Sequence, residues 1–131
     1  MPIGKIKSNQ QLKVLDLSHN QILRLPQNMF EFLPNVTKVV FDYNEISDFN
    51  LVININNANK KLQVLSISNN KLMRFPVNVS GPLAAIHLND NKIKAIPTGS
   101  FQELPSLRAI YLHQNQIASL PLTLQTCWPT V

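Results

Sequence analysis

Along almost the whole chain, apolar residues recur in one spacing that ends on asparagine, L-x-x-L-x-L-x-x-N, with other apolar side chains standing in for leucine. The first two copies are Leu12, Leu15, Leu17, Asn20 and Val36, Val39, Phe41, Asn44. The third is Leu62, Leu65, Ile67, Asn70, the fourth Leu83, Ile86, Leu88, Asn91, and the fifth Leu107, Ile110, Leu112, Asn115. Two positions after each asparagine comes an aliphatic residue, namely Ile22, Ile46, Leu72, Ile93 and Ile117. A further apolar residue three positions on is followed by proline in Leu25-Pro26, Phe75-Pro76, Ile96-Pro97 and Leu120-Pro121.

Within each copy the pattern alternates with the period of a strand. Leu15 and Leu17 thus face a core while Asp16 faces away from it. One short strand per repeat is predicted, near residues 14–18, 38–42, 64–68, 85–89 and 109–113, all in one parallel sheet with mostly irregular connections. The asparagine falls where the chain turns out of the strand. Its amide both donates and accepts, so it can satisfy backbone groups that a buried turn leaves unpaired. Asn20, Asn44, Asn70, Asn91 and Asn115 are therefore expected to form a structural ladder. Phe30 and Phe101 lie four residues after Pro26 and Pro97 and are expected to fill the wider, convex side.

The asparagines are spaced 24, 26, 21 and 24 residues apart. The 24-residue unit reads L-P-x-x-x-F-x-x-L-P-x-L after the asparagine, as in Leu25 to Val36 and Ile96 to Leu107. This pattern resembles the leucine-rich repeat family, in particular its "typical" subclass, and the resemblance covers essentially all 131 residues. The mixture of short and long units is similar to the small leucine-rich proteoglycans and to Toll-like receptor ectodomains. The resemblance implies an α/β-class, right-handed solenoid, a horseshoe with its parallel sheet on the concave face. It also implies a protein-interaction module: a segment of a receptor or matrix-type ectodomain, extracellular or at the cell surface, that binds a protein ligand on that face. The unit from Asn44 to Asn70 departs from the pattern. It lacks the proline and carries two extra residues, so its convex side is expected to bulge.

Register extends past the five copies. Pro2 precedes Leu12 by the same ten residues that separate Pro26 from Val36, and Trp128-Pro129 stands where Leu104-Pro105 stands in the unit before. The expectation is a single domain over 1–131, with five full repeats, partial repeats at both ends, and neighbouring repeats of a parent chain beyond them, because a solenoid end without a polar cap exposes its core.

Composition changes this picture little. Apolar residues make up 44% and charged residues 15%, which fits a folded domain, and no apolar run approaches the roughly 20 residues that span a bilayer. No membrane contact by this segment is expected. The net charge of +5 is spread along the chain, with no basic run of the kind that binds nucleic acid. Cys127 is the only cysteine, so no disulfide can form within the chain. That leaves a cytoplasmic scaffold or adaptor of the same fold as the alternative function.

No catalytic or cofactor motif stands out, and neither enzymatic activity nor a cofactor is expected. His87 and His113 face outward on adjacent rungs, but only Asp90 is placed to join them, short of a metal site. The informative positions are the outward columns. They place Tyr43, His87, Asn89, Tyr111 and His113 on the concave face beside the small Ala85 and Ala109, and these five are the candidate ligand-binding residues. Arg24, Lys71, Arg74, Lys92 and Lys94 share a rim beyond the asparagines, a possible path for a polyanion. Asn35 and Asn78 begin N-glycosylation sequons, Asn78 on the short convex turn and Asn35 beside a strand.

Overall fold

The computed structural model describes residues 11–26, 28–48, 59–76, 79–97, 99–101 and 104–118. Five strands form one parallel sheet in sequence order: β1 (Val14–Asp16), β2 (Lys38–Val40), β3 (Val64–Ser66), β4 (Ala85–His87) and β5 (Ala109–Tyr111). Register is uniform, with Leu15 opposite Val39, Val39 opposite Leu65, Leu65 opposite Ile86 and Ile86 opposite Ile110. Each central strand residue is buried and its neighbours are more open, the alternation read from the sequence, except that Ser66 on β3 is also buried.

The strands are shorter than expected, three residues each instead of five. Pairing nonetheless continues beyond them: the amides of Leu17, Phe41, Ile67 and Leu88 donate to the next rung at 2.8 Å. The chain then bends sharply. His19, Tyr43, Asn69, Asp90 and Gln114, one before each asparagine, all adopt a left-handed backbone with φ between 55° and 59°. This region is costly for most side chains and least so for Asn, Asp and His. Three of the five positions hold those types, and the turn is imposed on Tyr43 and Gln114 by the stack.

The bend explains the asparagine spacing. Asn44 Nδ2 donates to the carbonyls of Phe41 at 2.9 Å and of Leu17, one repeat earlier, at 3.0 Å, while its Oδ1 accepts the Ile22 amide at 3.0 Å. Asn91 repeats this with Leu88, Ile67 and Leu72, and Asn115 with Leu112, Leu88 and Ile93. Asn70 binds the carbonyls of Ser68 and Phe41 and the amide of Ile46. Among the described residues, Asn20 bonds within its own turn, to the carbonyls of Leu17 and Ser18, and it is exposed at the first described rung.

The core is a continuous apolar column. Phe41, Leu65, Ile67, Leu88, Ile46, Leu72 and Ile93 are fully enclosed. Among the described residues, the convex side carries one 3-10 helix, Met29–Phe32. Phe30 is buried there, whereas Phe101 is half-buried and packs edge-on against Phe75 at 5.3 Å between ring centres. The expected bulge of the 26-residue unit, Asn78, Cys127 and the partial repeats at both ends lie outside the described residues. Among the described residues no helix is long and apolar enough to cross a membrane.

Candidate functional site

What faces outward from the sheet follows from register. Because parallel rungs are about 4.8 Å apart, side chains at equal positions in successive repeats meet as stacks. His87 on β4 stands directly opposite Tyr111 on β5, and their rings stack with centres 4.3 Å apart and planes 13° from parallel. One position before the asparagine, His19 stacks on Tyr43 in the same way, at 4.5 Å and 9°. The left-handed turn aims that second pair along the sheet exit. Tyr43 is 51% and Tyr111 42% exposed, large values for aromatic residues.

Between the two stacks is a hollow of about 370 Å³, lined among others by Asp16, Lys38, Asp42, Tyr43, Ser66 and His87. Its two carboxylates are anchored alike. Asp16 Oδ1 accepts from the Ser18 amide at 2.9 Å and the Ser18 hydroxyl at 2.6 Å. Asp42 Oδ1 accepts from the Ser66 hydroxyl at 2.7 Å and the Ser68 amide at 2.8 Å. The Ser18 hydroxyl and amide hold the Asp16 carboxyl below the usual carboxylate range. Asp42, Ser66 and His87 are neighbours in space, yet the hydroxyl donates to the carboxylate, whereas a serine nucleophile would need a base to take its proton. The arrangement anchors a carboxylate.

Burial pushes the His87 imidazole below its ordinary value; the Asp42 carboxylate opposes that shift and Lys38 adds to it. A histidine whose folded value lies below its unfolded one favours the fold while neutral. Its contribution is present above pH of about 6.5, the unfolded value, and is lost as pH falls through the lower folded value. The melting temperature of the chain is therefore expected to decline on acidification below pH of about 6.5, and His87→Gln to flatten part of that decline. An identical pH profile in the variant would contradict the assignment.

Of the residues singled out in the sequence, His87 and Tyr111 are brought into contact, and Tyr43 joins His87 around the hollow. His113 is exposed, and the Asn89 side chain donates to Asp90 Oδ2 at 2.8 Å. Among the described residues no three metal-ligating side chains gather. Asn35 is half-buried, and the Thr37 hydroxyl of its sequon donates to the Lys13 carbonyl at 3.3 Å. On the rim, Lys71 pairs with Glu45 at 3.6 Å. Sequence reasoning missed Asp16, Ser66, Asp42 and His19 as site residues. The D-x-S at Asp16 to Ser18 was a usable signal, since a carboxylate two residues before a serine amide commonly closes on it; nothing local marked Asp42, whose partners lie 24 and 26 residues on.

Comparison with known proteins agrees with this architecture. The family model described as "Leucine rich repeat" matches residues 5–52 and 60–117. The chain is 30% identical to podocan of Mus musculus over 87% of its length and 34% identical to osteomodulin of Rattus norvegicus over 84%. It spans only 19% and 26% of those two proteins. With fibromodulin of Oryctolagus cuniculus it shares 31% identity over 88% of this chain and 76% of that sequence. By these matches the chain resembles the small leucine-rich proteoglycans. The repeat motif, the parallel stack with its hydrogen-bonded asparagines, and these matches agree: the chain belongs to the leucine-rich repeat family.

Proposed function

We propose that the chain is a segment of a matrix or receptor-type ectodomain that binds a protein ligand on its open sheet face and catalyses no reaction. The observation that carries this reading is the pair of exposed tyrosines, Tyr43 and Tyr111, each stacked on a histidine on the sheet face. Stacking fixes the rings before a partner arrives, so little rotamer entropy remains to be lost on binding. Exposed aromatic residues of this kind are the usual energetic anchors of an interface. The rim is the rival surface, and there Lys71 is already paired with Glu45.

Retention of extracellular-matrix proteins by the immobilised full chain tests the reading. Tyr111→Ala and His113→Ala are each expected to weaken retention of the same bands by roughly thirtyfold, about 2 kcal/mol. Lys92→Ala, on the rim, should act mainly on association rate and salt dependence. If both face variants bind like wild type while Lys92→Ala loses most of its binding at physiological salt, the face is not the site and a polyanion along Arg24, Lys71, Arg74, Lys92 and Lys94 takes its place.

A further inference from the structure

The hollow between the two ring stacks carries more chemistry than a generic contact surface needs. Asp16 and Asp42 each have Oδ1 fixed by a serine hydroxyl and a serine amide. Among the described residues, Oδ2 of each accepts no hydrogen bond, and neither carboxylate forms an ion pair. Both acids are thus oriented in advance with one oxygen left over. Lys38 lines the same hollow. Two carboxylates against one ammonium make the hollow acidic on a chain whose formal charge is +5. Burial keeps His87 neutral more readily than an exposed imidazole, so this wall adds a ring without adding charge.

We propose that this hollow is a receptor for an arginine side chain presented by a protein ligand, with Oδ2 of Asp16 or Asp42 taking the guanidinium edge and the Tyr43 ring its face. This deepens the proposed function and rests on it. A guanidinium fits the features better than an ammonium does. It is planar, more weakly hydrated, and can stack on a ring while donating in its own plane to a carboxylate. A volume of about 370 Å³ admits such a side chain with room for bridging water.

Titration of the full chain with blocked arginine, N-acetyl-arginine methylamide, followed in amide proton–nitrogen spectra, is the test. The Ser18 and Ser68 amides donate to the two carboxylates, so they report directly on occupancy. A saturable shift of these signals is expected, with a midpoint on the order of millimolar for a lone side chain. The blocked citrulline analogue, which keeps the shape without the charge, should give none, and blocked lysine a weaker one. Asp42→Asn keeps Oδ1 as acceptor for Ser66 and Ser68, so the fold is retained; arginine binding should fall about tenfold. Lys38→Ala should strengthen it by about threefold by removing a like charge.

Absence of a saturable shift, an equal response to citrulline, or equal binding of lysine overturns the assignment. Matrix-protein retention separates this failure from failure of the reading beneath it. If Asp42→Asn retains the matrix proteins fully while Tyr111→Ala loses them, the arginine receptor is wrong and the sheet face still binds. If no face variant alters retention, the face reading fails and the arginine receptor for a protein ligand falls with it.

Discussion

Replacing Asn59 by alanine is expected to lower stability by about 2–4 kcal/mol, the largest loss predicted for a single polar side chain in this fold. Asn59 is 6% exposed and lies three residues before Leu62, the first apolar position of the third repeat. Its Nδ2 donates to the carbonyls of Leu33 and Val36 in the preceding repeat, at 2.6 and 2.9 Å. Its Oδ1 accepts the amides of Lys61 and Leu62, at 2.8 and 3.0 Å. In the 24-residue repeats the equivalent positions are Leu33 and Leu104, and there a backbone turn closes the corner, from the amide of Val36 to Leu33 and of Leu107 to Leu104. A side chain has taken over the task of a turn. Alanine strands at least two buried groups, each at about 1–3 kcal/mol, while Lys61 at the surface can recover water. Asn59→Asp separates donor from acceptor: it preserves the turn but faces two carbonyls with a carboxylate, so it should be no better than alanine. A urea midpoint within error of wild type for both variants would refute this role.

Asn70→Ala follows, at about 1–3 kcal/mol. Its amide ties Phe41 and Ser68 to Ile46 in the middle of the stack, at 8% exposure, where no water replaces it. Asn20→Ala is the internal comparison, since Asn20 is exposed and, among the described residues, bonds within its turn. Denaturant midpoints should therefore order as wild type close to Asn20→Ala, then Asn70→Ala, then Asn59→Ala. Equal effects of Asn20→Ala and Asn70→Ala would mean that the bonds between repeats contribute nothing beyond the local turn.

Leucine, isoleucine and asparagine at fixed spacing made the stack legible before any coordinates, because burial of a side chain depends mainly on its own type and on the period of the backbone. Phe41, Leu65 and Ile86 are enclosed for that reason. What escaped was whatever depends on a neighbouring repeat. Asn59 looked like one more polar residue of an irregular insert, since its partners are 23 and 26 residues back. The left-handed backbone at Tyr43 and Gln114 was hidden because no glycine marks it. The strands were drawn two residues too long because alternation continues through Leu17 and Phe41 although the chain is already bending. For the site, the outward columns already placed His87 beside Tyr111. They placed His19 beside Tyr43 as well. They did not show the direction in which Ser66 donates, which shapes the hollow.

That a protein ligand lies on the sheet face can be read most directly by site-specific photocross-linking. A p-benzoylphenylalanine side chain would be placed at Val40 or Ala109 on the face, and at Lys92 or Lys94 on the rim, in otherwise unaltered chains exposed to extracellular-matrix proteins. The account predicts one shared protein cross-linked from both face positions, competed away by unlabelled wild type, and absent from the rim positions. Cross-links to a common partner from Lys92 and Lys94, with none from Val40 or Ala109, would contradict it.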